Sequence, residues 1–248
     1  MDTTTWASML PAIPEISLAG AICALLMIDV FAGSRRGLTA SASLVLLAGC
    51  AALTLGYGHV TVRTLVFGGL YVADPLAVWL KLCAFLAVGL GLFYGEAYLE
   101  RNRIRGGEYY VLSLTALLGI CVIASANSLL TIYIGVELLS LSLYALVAFD
   151  RDNGVAAEAA IKYFVLGAIA SGVMLYGISL LYGLTGTLDL DRLAATALSP
   201  NAASSAGLII AIAFIVVAVA FKFGAVPFHM WVPDVYSAVS YTHLTLPT

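Results

Sequence analysis

Residues 128–149 read SLLTIYIGVELLSLSLYALVAF, twenty-two positions that carry a single charge, Glu137, close to the midpoint. At 1.5 Å per residue such a helix rises roughly 33 Å, enough to cross about 30 Å of hydrocarbon. Tyr133, Glu137, Ser140 and Tyr144 follow 4-3-4 spacing, which gathers them into one polar stripe on an otherwise apolar helix. A carboxylate at that depth is costly, and such residues usually face a partner or a water-filled path rather than lipid.

Outward from this stretch, six more segments qualify as spans, at about 15–33, 38–57, 75–98, 108–126, 155–182 and 206–235. The breaks between them carry turn chemistry: Gly33-Ser34, Asp74-Pro75, Gly106-Gly107, Asp150 to Gly154, and Ser199-Pro200-Asn201. The two spans that meet near Asn127 leave almost no loop, which predicts a tight helical hairpin. The whole chain of 248 residues is 62% hydrophobic and 10% charged, with a mean hydropathy of +1.04. A soluble domain carries about 25% charged residues, so the expected fold is all-α, a polytopic membrane bundle of about seven transmembrane helices. The same figures exclude a disordered chain, a secreted disulfide scaffold and a nucleic-acid binder, since the net charge is −3 without a basic cluster.

Four cysteines, Cys23, Cys50, Cys83 and Cys121, lie inside apolar runs without metal-ligand spacing and are expected to be small buried hydrophobes. Met1 to Ser17 holds two acids and no Lys or Arg. The first apolar run is therefore expected to be a retained span, because a secretory signal needs a positive start. His59 to Ala73 alternates around Val60, Val62, Thr64 and Val66 and turns at Gly68-Gly69, a short β-hairpin. Leu184 to Ser199 spaces Leu190, Leu193 and Ala197 like a short amphipathic surface helix. Gly91 with Gly95, and Gly167 with Ser171, repeat the small-xxx-small spacing of close helix packing.

All eight arginines fall in loops, while all three lysines, Lys81, Lys162 and Lys222, fall inside spans. Lys222 lies near the middle of the last span, with no acid three or four residues away on its own helix, so its counter-ion is expected to come from another helix. Pro227, five residues on, is expected to break that helix, giving a discontinuous span whose freed backbone lines a pathway. Burial raises a carboxylate pKa and lowers that of a lysine, while mutual proximity opposes both shifts. A Glu137–Lys222 pair held in that tension changes protonation when a partner moves, as a proton relay requires. Lys162 can pair with Glu158, four residues earlier on the same face. Lys81, six residues past Pro75, is within snorkelling reach of the interface. His229 follows the break, where packing and proton transfer are equally good readings. His59 and His243 are not mid-span, and neither a P-loop nor a GxGxxG is present. No redox, nucleotide or metal site is therefore expected in this chain.

Three runs carry a resemblance: Ile134-Gly-Val-Glu137-Leu-Leu-Ser140, Glu158-Ala-Ala-Ile-Lys162-Tyr-Phe, and Lys222-Phe-Gly-Ala-Val-Pro227-Phe-His229-Met-Trp231-Val-Pro233-Asp234-Val-Tyr236. Over roughly residues 10–236 the chain resembles the antiporter-like subunits of respiratory complex I. The Pro-Asp-Val-Tyr ending and the run from Leu181 to Thr187 look like the subunit N branch, since the L and M branches usually read Pro-Asp-Ala-His. The resemblance implies a proton-translocating subunit of an NADH:quinone oxidoreductase, an enzyme of the translocase class. NADH, flavin, iron–sulfur clusters and quinone would belong to other subunits. Partners would be other complex I membrane subunits within the lipid bilayer, and the location the bacterial inner membrane. It also assigns the mid-membrane acid to Glu137, the lysine before the helix break to Lys222, and an intervening relay lysine to Lys162. The family has about fourteen spans in two inverted repeats, so this chain would hold about half. Residues 1–107 would form three N-terminal helices and the outer hairpin near 59–73, and 108–236 an incomplete first repeat. Residues 237–248 depart from the pattern and are expected to be a non-native tail, His243 with them. The runners-up are a subunit of a multisubunit sodium/proton antiporter and a non-pumping membrane scaffold.

Arginine placement orients the bundle. Arg35, Arg36, Arg101, Arg103, Arg105 and Arg151 occupy alternate loops on one side, against Arg63 and Arg192 on the other. By the positive-inside rule the first set is cytoplasmic and the N-terminus outside. Single cysteines introduced at Arg103 and Arg192 in membrane-embedded protein should label from opposite faces with an impermeant reagent; labelling from one face would overturn the arrangement.

Overall fold

The computed structural model describes residues 9–31, 36–57, 63–101, 107–150, 152–197 and 206–238. His59, Val60, Val62, Arg35, Arg103, Arg105, Arg151, the Ser199–Asn201 turn and residues 239–248 lie outside them. The chain divides into two compact units, Met1–Ser142 and Leu143–Thr248.

In the first unit a 3-10 turn, Leu10–Ala12, leads into α1 (Ile13–Phe31), followed by α2 (Arg36–Tyr57). Strands β1 (Thr64–Val66) and β2 (Tyr71–Ala73) then form the expected hairpin, and α3 (Pro75–Arg101), α4 (Gly107–Ala124) and α5 (Leu129–Val147) follow. α5 runs unbroken into the second unit. There it is succeeded by α6 (Gly154–Thr185), the short α7 (Leu190–Ala197), α8 (Ala206–Lys222) and α9 (Val232–Ala238). Six of these helices are long and apolar enough to cross a membrane; α8 is as apolar but shorter. Their outer faces carry exposed Val45, Leu86, Phe93, Ile161 and Val216, as surfaces that meet lipid or other apolar helices do. This is a multi-pass helical membrane protein.

The core of the first unit interleaves α1 to α4 through Leu18, Leu25, Leu47, Phe85, Leu92, Tyr110, Leu114 and Leu117. Cys50 and Cys121 belong to that core, but Cys23 and Cys83 lie on exposed helix faces. The expectation of four buried cysteines holds for two, because an apolar run in lipid has no obligatory inside.

The hairpin pairs Thr64 with Ala73 and Val66 with Tyr71. Its turn is closed by Gly68 and Gly69 at φ +66° and +94°, a conformation that glycine adopts without steric penalty. It is fastened to the α4–α5 turn. Asn127, 2% exposed, accepts from Arg63 Nη2 at 2.7 Å and donates from Nδ2 to the Gly69 carbonyl at 3.1 Å. The backbone adds Val72 N–H to Ser125 O and Asn127 N–H to Leu70 O.

Past that turn, α4 and α5 meet backbone to backbone. A Cβ at Gly119 would stand 2.8 Å from the Gly135 carbonyl oxygen, and one at Gly135 3.0 Å from that of Gly119. The Gly91/Gly95 pair is different: Gly91 is open, and Gly95 lies under the ring of Tyr109 on α4. In the second unit Asn153 caps α6 by accepting from the Val155 and Ala156 N–H groups, and Gly186 ends it at φ +68°.

Because a Cβ at Gly119 would meet backbone, and one at Gly135 both backbone and Ile123 Cγ1, Gly119→Ala or Gly135→Ala should each cost about 1–3 kcal/mol through overpacking. Gly20→Ala and Gly49→Ala, where nothing lies within 4 Å, should be neutral or stabilising by helix propensity. Thermal unfolding midpoints of the detergent-solubilised full-length protein would check this, and equal shifts at all four sites would refute it.

Candidate functional site

In the second unit the helix carrying Lys222 stops at Lys222 itself. Phe223 and Gly224 turn the chain, Gly224 at φ +63°, and the freed carbonyls find donors. Trp231 Nε1 donates to Phe221 O at 3.0 Å, and Ala225 N–H to Ala220 O at 2.9 Å. The break therefore lies five residues ahead of Pro227, which sits within the connector. A left-handed glycine, rather than the missing proline N–H, terminates the helix.

Lys222 projects from this terminus toward α5 and α6. Its ammonium donates to Tyr144 Oη at 3.3 Å and Ser171 Oγ at 3.2 Å, and lies 5.7 Å from the centroid of the Tyr144 ring. Gly167 makes room: any Cβ there would collide with the Tyr144 phenol. Tyr144 is braced edge-on against Tyr163, and Tyr163 stacks on Trp231 with centroids 4.4 Å apart. Half-buried Lys222 is thus seated on a rigid aromatic stack. The Gly167/Ser171 spacing, expected to mark helix packing, supplies instead a cradle for Tyr144 and a hydroxyl for Lys222. Ser171 was missed because a serine one turn from a glycine looks the same in either role.

The chemistry of that seat is specific. A hydroxyl both donates and accepts, so Tyr144 and Ser171 can accept from an ammonium and donate to a neutral amine. Both protonation states of Lys222 are served, whereas a carboxylate partner favours the charged one.

Lys162 pairs with Glu158 at 2.9 Å, as the spacing indicates, and also with Asp234 in the first turn of α9 at 3.2 Å; all three are partly exposed. Asp234, quoted above only as part of a motif, is therefore the link from α6 to the segment beyond the break. His229 is exposed in the connector, and its carbonyl accepts the first N–H of α9, from Val232.

Glu137 and Tyr133 belong to the first unit, Glu137 half-buried near the middle of α5. In the same unit the structure overturns the snorkelling reading of Lys81. That lysine is 4% exposed, ion-paired to Glu15 on α1 and hydrogen-bonded to Tyr71 Oη at 3.0 Å. Its position near a helix start was a poor guide because the hairpin folds over that end. Burial pushes the Tyr71 phenol above its usual range.

A lysine seated on hydroxyls at a helix break, in a multi-pass apolar bundle, defines a membrane protein that holds a titratable amine within its helices. The family model described as NADH:quinone oxidoreductase/Mrp antiporter, transmembrane, matches residues 126–245. NADH-quinone oxidoreductase subunit N of Herminiimonas arsenicoxydans is 52% identical over 234 residues, covering 92% of this chain and 47% of that protein. Its counterpart in Thioalkalivibrio sulfidiphilus is 47% identical over 228 residues, with the same coverages. Among solved structures, respiratory complex I from Thermus thermophilus with bound aureothin superposes at a TM-score of 0.71 and 32% identity, covering 90% of this chain and 47% of that one. A chain of the Mrp complex from a Dietzia species superposes at 0.74 but 21% identity, covering 94% and 44%, a likeness of fold alone. Over more than nine-tenths of its length the chain is similar to NADH-quinone oxidoreductase subunit N proteins, and it spans about half the length of the curated relatives it matches.

Loss of one hydrogen bond to a charged group costs about 1.5–3 kcal/mol, roughly tenfold or more in an equilibrium. Tyr144→Phe and Ser171→Ala should therefore each lower the thermal unfolding midpoint of the detergent-solubilised protein by a few degrees, and Gly167→Ala, which displaces the Tyr144 ring, should reproduce the Tyr144→Phe shift. Wild-type midpoints in all three would show that the seat does not hold Lys222.

Proposed function

We propose that the protein is a proton-translocating membrane subunit of an NADH:quinone oxidoreductase, coupling proton movement to quinone reduction carried out elsewhere in the complex. The observation that carries this reading is the hydroxyl seat of Lys222, which accommodates the amine with or without its proton at the terminus of an apolar helix. Glu137 modulates the proton affinity of Lys222, and Lys162, poised between Glu158 and Asp234, passes the proton onward. Pro227 and His229 support the connector around the break. NADH, flavin, iron–sulfur clusters and quinone reside on other subunits, and the partners are the other membrane subunits of the complex. The protein lies in the bacterial inner membrane with its N-terminus outside, its three N-terminal helices over 1–107 and its first antiporter-like repeat over 108–236. A sodium/proton antiporter subunit shares the family model's description, and sodium-dependent transport without NADH oxidation would favour it.

Glu137→Gln and Lys222→Ala in the complete complex should each lower proton uptake per NADH oxidised at least tenfold, with Arg192→Ala, an exposed residue of α7, close to wild type. Removing one buried charge leaves others uncompensated and shifts them toward neutral forms. Near wild-type pumping by both variants, normalised to assembled complex, would leave only the scaffold reading.

A further inference from the structure

Glu15, Tyr71 and Lys81 lie outside the residues that the family model matches, yet they form the most enclosed ionic cluster among the described residues. Tyr71 has one hydroxyl proton and in reach the acceptors Pro11 O at 2.9 Å and Glu15 Oε2 at 3.2 Å, with the Ser125 hydroxyl also beside it. It can bond fully to one at a time, while its oxygen accepts from Lys81 Nζ at 3.0 Å. With Glu15 ionised, the hydroxyl points to the carboxylate and the ion pair is closed. With Glu15 protonated, the hydroxyl turns to Pro11 O, and the ammonium keeps the Tyr71 oxygen and the face of its ring, 5.1 Å from the centroid. The protonated Glu15 then donates its own O–H to the Tyr71 oxygen, so each protonation state has its donors placed, and the two differ by one proton and one hydroxyl rotation.

A small cavity adjoins Tyr71 and Lys81, bounded also by Pro11, Pro14, Thr54, Asp74 and Val78, with about 10 Å³ open to the centre of a water molecule. That is room for about one water, with Thr54, Asp74, Tyr71 and Lys81 as polar contacts among largely apolar walls; Glu15 is not among them and meets the cavity through Tyr71 and Lys81. The titratable neighbours are the Cys50 thiol from α2 and the Cys121 thiol from α4. Asp74 is held as the cap of α3 by the Ala77 N–H, and Arg63 is bound to Asn127.

The geometry points to a second proton-binding site, formed by Glu15, Tyr71 and Lys81 beneath the hairpin, that exchanges one proton with the cavity water. On uptake a hydronium in the cavity gives a proton to the Tyr71 oxygen while the Tyr71 hydroxyl passes its own proton along the hydrogen bond to Glu15 Oε2, leaving water behind. The new Tyr71 proton turns to Pro11 O, the Glu15 O–H donates back to the Tyr71 oxygen, Lys81 stays an ammonium, and the net charge of the site rises from zero to +1. Release reverses each step. A purely structural ion pair needs neither the alternative acceptor nor the cavity.

The test uses full-length protein in the assembled complex, reconstituted in vesicles, with Tyr71→Phe and the charge-free double variant Glu15→Gln/Lys81→Met. Both should lower the proton-translocation rate at least threefold and flatten its pH dependence, while quinone reduction in the presence of a protonophore stays near wild type. Assembled variants with wild-type rate and pH profile would overturn the proposal and reduce the cluster to a fastener. If the double variant does not assemble, Tyr71→Phe decides alone, because it removes one oxygen and leaves both charges. Glu137→Gln run in parallel keeps the two readings apart: normal pumping there sinks the Glu137 relay without touching the result at Tyr71.

Discussion

Hydrocarbon offers a cation no solvation, so every lysine placed in an apolar helix must find polar partners within the fold, on its own helix or across to others. That constraint shapes this protein more than any other. Lys81 is matched by a carboxylate from α1 and a phenol from the hairpin; Lys162 by two carboxylates near a helix end; Lys222 by two hydroxyls and an aromatic ring. The three solutions differ in what they allow. A carboxylate holds an ammonium charged, whereas hydroxyls are indifferent to whether the amine keeps its proton. The segment around Lys222 follows from this, since the glycine turn, the Trp231 cap and the Tyr163–Trp231 stack all serve to fix the seat.

Much of this was legible in the sequence because membrane helices are written in long apolar runs. The helix bounds, the hairpin turning at Gly68-Gly69, the short amphipathic α7 and the tight hairpin at Asn127 all follow from composition and turn chemistry. The Glu158–Lys162 pair follows from i,i+4 spacing alone. What the sequence concealed was long-range. Glu15 and Lys81 are 66 positions apart and carry no local mark of each other. A lysine near a helix start reads as interfacial until a hairpin is folded over it.

The break near Lys222 shows a subtler limit. Proline is the strongest local signal for a helix end, and it drew attention to position 227. The chain instead leaves the helix at Gly224, whose left-handed backbone permits a tighter and earlier stop. Likewise Gly167 and Ser171 match a packing motif by spacing, but the space that Gly167 opens is filled by a tyrosine, and the Ser171 hydroxyl is turned to a lysine. Spacing identifies which residues share a face; it does not say what approaches that face.

The backbone contact between Gly119 and Gly135 has a dynamical consequence. Helices separated by flexible side chains can slide or roll by small increments, because those chains repack. Here backbone meets backbone at Gly119, with Ile123 the side chain set against Gly135, so a roll of α5 about its own axis presses a peptide group against its neighbour. The Glu137 helix is clamped at its crossing with α4, two positions before the carboxylate. At this crossing, side-chain rotation near Glu137, on picosecond-to-nanosecond scales, meets less resistance than helix displacements that take microseconds or longer.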